Sequence, residues 1–219
     1  MAWTELARAV TPDGDALTLR QCGADFEIRL NLLELMSSRN PVSERMLAQA
    51  VCKRLARRNP RILIGGLGMG YTVRAVLDHV GDGAGITVAE LMADIIAWNH
   101  GPLAAVAGRP LDDHRVTVCN SDVADVVRAS PDAFDAILLD VDNGPEAVLF
   151  PSNRFLYRPD GVKAIVSALR TDGVFALWSA DRSPAFEQVL AAGALPAECV
   201  EVAVCGGNTI HTIYLVAAR

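Results

Sequence analysis

Ile62-Leu63-Ile64-Gly65-Gly66-Leu67-Gly68-Met69-Gly70 is the stretch that decides the fold. Three consecutive large apolar residues read as a short strand buried on both faces. Four glycines among the next six residues let the chain turn sharply. They also clear side chains from the turn, so that backbone N–H groups and the start of a following helix can approach a ligand. Residues 71–80 then read as that helix. A strand, a glycine turn and a helix in this order can bind a phosphate or nucleoside, or can simply reverse the chain. The neighbouring strands decide between the two.

Outward from this unit the pattern repeats. Residues 86–89, ending at Glu90, residues 115–119, residues 136–139, ending at Asp140, and residues 174–178 read as strands. Residues 92–99, 123–129 and 162–169 read as the helices between them. Strands that alternate with helices predict an α/β fold, doubly wound, with a mostly parallel sheet covered on both faces. Residues 198–204 and 211–216 break the alternation, because they read as two strands around Gly206-Gly207-Asn208. A C-terminal antiparallel hairpin sets the chain apart from a plain dinucleotide-binding fold. It points to the class I S-adenosylmethionine-dependent methyltransferase type.

Toward the N-terminus, residues 16–22 and 26–30 read as two strands around Gly23-Ala24-Asp25, with residues 32–36 continuing a small β element. Asn40-Pro41 breaks the chain. Ser43 is placed to cap a helix whose apolar face is Met46, Leu47, Ala50, Val51 and Leu55. The expected division is a small β element over residues 1–40 and a Rossmann-like catalytic domain over 41–219.

Bulk properties narrow the function classes. A length of 219 residues suits one large domain, and a net charge of -6 without a basic stripe leaves no nucleic-acid footprint in evidence. No run approaches the ~20 apolar residues that span a bilayer, and residues 1–10 do not read as a signal peptide. The expected location is the cytoplasm. Cys22, Cys52, Cys119, Cys199 and Cys205 show no metal-ligand spacing, and neither do His79, His100, His114 and His211, so no metal is expected. No Gly-x-Ser-x-Gly elbow supports a serine hydrolase.

Chemistry-bearing residues sit at four successive strand ends. The turn itself offers Gly65, Gly66, Gly68, Met69 and Gly70 as a ligand cradle. Glu90, with Leu91 beside it, stands about 20 residues further on, where a carboxylate can accept from both ribose hydroxyls. Ser121 and Asp122 follow the third strand, where Asp122 can take an adenine amino group or cap the next helix. Asp140, Asp142 and Asn143 follow the fourth, where a carboxylate can hold or deprotonate an amine nucleophile. In an open parallel sheet the ligand lies beyond the carboxyl ends of the strands. The set points to an adenosine-containing ligand without separating NAD from S-adenosylmethionine.

Over residues 16–219 the chain resembles the spermidine synthase (polyamine aminopropyltransferase) family and its methyltransferase-like relatives. The resemblance rests on the N-terminal strands, Glu44 on the linking helix, the glycine turn, Glu90, Asp122 and Asp140. It also rests on Gly144-Pro145-Glu146-Ala147-Val148-Leu149-Phe150, which is similar to the family's Gly-Pro-Ala-Glu-x-Leu-Phe. It implies an S-adenosyl ligand, with Glu90 on the ribose, Asp122 on the adenine and Asp140 on the reacting amine.

The family's glycine loop, Gly-Gly-Gly-Asp-Gly-Gly, carries an Asp that meets the donor's ammonium. Aligned through Arg74, that position here is Met69. Its Asp-Ser-Ser-Asp-Pro loop is replaced by Asp140-Val141-Asp142-Asn143, and its Tyr-His-Glu by Val42-Ser43-Glu44.

Loss of the acid removes a repulsion against the carboxylate of ordinary S-adenosylmethionine. On that ground the sequence favours a small-molecule methyltransferase, with Asp140, Asp142, Asn143 and Glu44 as the catalytic group. The alternatives are a polyamine aminopropyltransferase using decarboxylated S-adenosylmethionine, and a non-catalytic nucleoside-binding module. A nicotinamide-dependent reductase is disfavoured by the terminal hairpin. The expected acceptor is a small molecule of amine type, and the strands near residues 16–30 offer an edge for homodimer pairing.

Overall fold

The computed structural model describes residues 2–204 and 209–218. The chain opens with four antiparallel strands, β1 (Thr4–Val10), β2 (Ala16–Cys22), β3 (Asp25–Leu30) and β4 (Leu33–Ser37), hydrogen-bonded in the order β1-β2-β3-β4. The sequence pattern locates β2 and β3 and approximates β4, but leaves out β1. The reason is physical: of the β1 residues only Ala9 is buried, so the strand carries no apolar alternation to read. Leu17, Leu19, Ile28 and Leu30 join Leu47, Val51, Ile62 and Ile64 in one apolar cluster, which seats the small sheet against the rest of the chain.

The linking helix α1 (Val42–Cys52) follows. Ser43 does not cap it. Pro41 holds the cap position, and Ser43 lies in the first turn with its hydroxyl donating to the Glu44 carboxylate at 2.8 Å. The helix also stops short of Leu55, because Arg54 and Leu55 turn back onto Val51 and Cys52 in tighter bonds that unwind its end.

The alternating part then unrolls as β5 (Arg61–Gly65), α2 (Tyr71–Leu77), β6 (Gly85–Glu90), α3 (Ala93–His100), β7 (Val116–Asn120), α4 (Val123–Ala129), β8 (Phe134–Leu139), α5 (Pro159–Ala168), β9 (Leu169–Ser179), α6 (Pro184–Ala192), β10 (Ala197–Ala203) and β11 (Ile210–Ala217). The sheet order is β10-β11-β9-β8-β5-β6-β7. The pairs among β5 to β9 are parallel, and β11 runs antiparallel to both β9 and β10. The expected α/β class and terminal hairpin are both present. The hairpin's Gly206-Gly207-Asn208 lies outside the described residues. The helix α6 has no counterpart in the sequence reading.

Every residue of β8 is buried, and Ile62, Leu63 and Ile64 are fully so, which is why these strands read as unbroken apolar runs. β5 and β8 lie side by side with the chain leaving β5 toward β6 on one side and returning to β8 on the other. A crevice opens beyond their carboxyl ends at such a switch point. The Asp140 N–H donates to the Gly65 carbonyl at 2.8 Å, and the Gly66 N–H donates to the Ala89 carbonyl at 2.9 Å. Gly66 has φ +88°, and the space a Cβ would need is taken by the Asp140 carbonyl. A left-handed residue costs about 1–3 kcal/mol when it is not glycine, before the collision is added. Gly66→Ala is therefore expected to lower the melting temperature by ~4 °C or more in a calorimetric scan. An unchanged melt would show that the two strand ends are not held this close.

Candidate active site

A cavity of about 610 Å³ lies over the carboxyl ends of β5, β6 and β8, and is walled on its outer side by residues 34–40 and the start of α1. The glycine turn forms its floor through Gly66 and Gly68. Glu90 stands at the end of β6, buried, with one carboxylate oxygen accepting from the Leu67 N–H at 2.9 Å and the other from the Met92 N–H at 2.8 Å. Burial pushes its acid up and these backbone donors oppose that. Leu91 and Gly68 add to these donors, so the carboxylate is fixed in place on the cavity wall. Asp122 both caps α4, accepting from the Ala124 N–H at 2.8 Å, and lines the cavity. The two roles weighed for it in the sequence are compatible in one conformation.

At the other end of the cavity two carboxylates meet. Asp140 follows β8 and accepts a hydrogen bond from the Thr72 hydroxyl at 2.6 Å. Desolvation raises its acid well above the ordinary range, and the Thr72 bond opposes this. Glu44, from the first turn of α1, is pushed up to about 7, first by burial and then by the charge of Asp140. Neither is ion-paired with a cation among the described residues. His211 and Trp178 line the cavity beside them, with ring centroids 4.8 Å apart in an edge-to-face contact. Besides His211, the only basic residue in the lining among the described residues is Arg39, which is held by Glu34 at 3.0 Å. Carboxylates dominate the wall.

A family model described as the spermine/spermidine synthase domain matches residues 41–197. No curated protein matches the chain in sequence. Among solved structures, a spermidine synthase from Thermotoga maritima superposes with a TM-score of 0.79 at 18% identity, covering 98% of this chain and 73% of that one. A spermidine synthase in complex with the transition state analogue AdoDATO gives the same score and identity over 98% and 72%. A probable spermidine synthase from Corynebacterium glutamicum gives 0.70 at 16% identity, over 99% and 80%. The chain belongs to the spermine/spermidine synthase family.

Membership in the spermine/spermidine synthase family backs aminopropyl transfer over the methyl transfer that the sequence favours, and the geometry weakens the argument for the latter. Met69 does not face the cavity. Its side chain is fully buried in the apolar cluster. Met36 of β4 lies over the turn instead, with its Sδ 3.2 Å from the Met69 N–H and its Cε 2.6 Å from where a Cβ on Gly68 would stand.

Gly65, Gly70 and Ser121 also stay out of the lining: Gly65 packs against Val123 and Leu139, Gly70 against Pro110, and the Ser121 N–H donates to the Glu90 carbonyl. Gly66, Gly68, Glu90, Leu91, Asp122, Glu44, Asp140, Asp142 and Asn143 are brought together around one cavity. Of these, Asp142 is committed elsewhere. It accepts from the N–H groups of Asn143, Leu149 and Phe150 and from the Asn153 amide, and so ties down the loop between β8 and α5. The sequence reading missed Thr72, His211 and Met36. Thr72 alone carried a signal, as a polar residue in the first turn after a glycine turn.

Metal chemistry has no visible anchor, since the described residues hold no group of three or more His, Cys, Asp or Glu side chains that could bind an ion. No helix among the described residues is long and apolar enough to cross a membrane.

Two outcomes follow from the carboxylates. Glu44 has an unfolded value near 4.5 and a folded value near 7. The folded chain therefore holds a proton that the unfolded chain has lost between those values, and its contribution to stability disappears as pH rises through about 7. Glu44→Gln should melt higher than the parent at pH 8, with the gap closing toward pH 5. A pH-independent gap would contradict the shift. Asp142→Ala strips the acceptor from three backbone N–H groups, each costing ~1–3 kcal/mol if left buried and unpaired. A lowered melting temperature at every pH is expected, against no such loss for Asp140→Asn, which removes a desolvated charge.

Proposed function

We propose that the protein transfers an aminopropyl group from decarboxylated S-adenosylmethionine to a small amine of the putrescine type. One observation carries the reading: Glu44, buried, and Asp140, half-buried and desolvated, share the cavity wall with no ion-pair partner among the described residues. Two carboxylates in this state attract an ammonium, because a cation between them restores the ionised form that burial disfavours. Family membership supports the donor class, and the cavity has room for a nucleoside and a short amine together.

In this reading Glu90 accepts from the ribose hydroxyls and Asp122 from the adenine amino group. Gly66 and Gly68 let the donor lie close to the backbone, with Leu91 beside it. The donor supplies a carbon made electrophilic by the adjacent sulfonium. Asp140, fixed by Thr72, holds the acceptor nitrogen in line with that carbon and takes up the proton the nitrogen must lose, while Glu44 secures the amine's charge. The nitrogen–carbon bond forms as the carbon–sulfur bond breaks, and the electron pair goes to sulfur, leaving a neutral thioether. Positioning of this kind supplies much of the barrier reduction in a two-substrate transfer. The boundary near residue 40 is part of the same proposal, with the N-terminal sheet closing the outer wall.

Methyl transfer from ordinary S-adenosylmethionine is the second reading, favoured by the absence of an acid at position 69. A single experiment separates them. Purified protein is given decarboxylated S-adenosylmethionine with putrescine, and in parallel ordinary S-adenosylmethionine with the same amine. Release of methylthioadenosine is expected, falling ~100-fold or more in Asp140→Asn. Release of S-adenosylhomocysteine instead would establish the methyl reading. Nucleoside binding without either product would leave a non-catalytic module.

A further inference from the structure

Glu44 is one end of a hydrogen-bonded chain that crosses the cavity wall. Its Oε2 accepts from the Ser43 hydroxyl at 2.8 Å, and Ser43 Oγ lies 3.1 Å from His211 Nδ1. Ser43 and Glu44 are buried and His211 is half-buried. Ser43 and His211 are 168 residues apart in sequence and meet only because β11 returns beside α1. We infer that His211 acts through Ser43 as a positioning residue for Glu44, holding that carboxylate ionised and oriented when an acceptor ammonium arrives. The inference rests on the acceptor-site reading above and assigns a residue to it that the glycine-turn and strand-end motifs do not include.

The polarity of the chain follows from counting protons. Ser43 has one hydroxyl proton, and an ionised Glu44 can only accept it. The contact with His211 then requires Nδ1 to carry its own proton and donate to Ser43 Oγ. Both bonds therefore point at the carboxylate and favour its charged form. With Glu44 protonated that polarity is no longer imposed, because the acid can itself donate to Ser43 Oγ. Trp178 packs edge-to-face against the ring and fixes its orientation toward Ser43. Burial lowers the His211 acid, keeping the ring neutral, while Asp181 opposes this.

The other charges in reach are known for each partner. Asp140 from the end of β8 and Arg45 from α1 act on Glu44 in opposite directions, and Tyr71 of α2 feels the Glu44 charge in turn. From β10 the residue across from His211 is Val202, which does not titrate.

The test compares His211→Phe, His211→Asn and Ser43→Ala with the parent in the full chain. The first readout is the Glu44 carboxyl titration by carbon NMR without substrate, its signal assigned by its absence in Glu44→Gln. The second is the acid limb of kcat/KM for amine transfer. His211→Phe and Ser43→Ala should each move both upward by about half a pH unit or more, and the double variant no further, because they break the same string. Asn offers an N–H in place of Nδ1–H and should restore the parent profile.

A Glu44 titration that moves in Ser43→Ala and stays put in His211→Phe would overturn the inference. Should His211→Phe fail to fold, nitrogen NMR of His211 in the parent, recorded above the Glu44 titration where the carboxylate is ionised, decides: a neutral ring protonated at Nδ1 supports the string, and one protonated at Nε2 overturns it. The NMR readouts need no turnover. Shifted titrations in a protein that transfers nothing would remove the proposed activity and leave the string standing.

Discussion

Everything in this molecule's chemistry depends on two carboxyl groups held together in one corner of the cavity. Glu44 enters from the first turn of α1 and Asp140 from the end of β8, and desolvation raises both acids. Burying a carboxylate without a cation costs several kcal/mol, so the corner is unfavourable unless something positive arrives. The fold holds it regardless because the backbone on either side has no freedom to retreat. Leu47, Ala48 and Val51 lock α1 into the apolar core, and Leu138 and Leu139 lock β8. In the proposed reading a cation that enters this frame relieves the cost, and binds for that reason.

The Glu90 end of the cavity, assigned to the donor in the proposed reading, is organised on the opposite principle. Glu90 is buried too, but its oxygens are met by the N–H groups of Leu67 and Met92. It is held in position by the backbone that forms the floor under it, so its geometry does not wait for a ligand. Asp142 goes further, spending its hydrogen-bonding capacity on the loop that follows β8. Three acids from neighbouring segments thus do three different jobs. What separates them is the partner each finds: backbone donors for Glu90 and Asp142, a single hydroxyl and a second carboxylate for Asp140.

The central strands were legible because burial on both faces writes itself as continuous apolar sequence, and β5 and β8 are such strands. β1 was not, since it hides almost nothing from water. α6 escaped although Ser183 accepts from the Phe186 N–H as a regular cap. Its buried residues are Phe186 and Leu190, one pair in nine residues, and two apolar contacts do not make a visible period. At the site, strand ends located Glu90, Asp122 and Asp140 because topology alone puts them there. Met69 misled for the converse reason: a residue in a tight turn can point either way, and alignment to a family loop does not say which. Thr72 and His211 depend on which helix face or hairpin strand swings over the crevice, and that is settled by packing rather than by local pattern. His211 in particular looked dispersed among four histidines until β11 brought it to Ser43.

The claim that Glu44 and Asp140 form a cation site is tested most directly by calorimetric titration of the protein, saturated with methylthioadenosine, with 1,4-diaminobutane and with its uncharged counterpart 1,4-butanediol. The account predicts that the diamine binds, that the diol of the same length does not, and that Glu44→Gln with Asp140→Asn abolishes the difference. Equal binding of the two, or diamine binding that survives the double substitution, would contradict it.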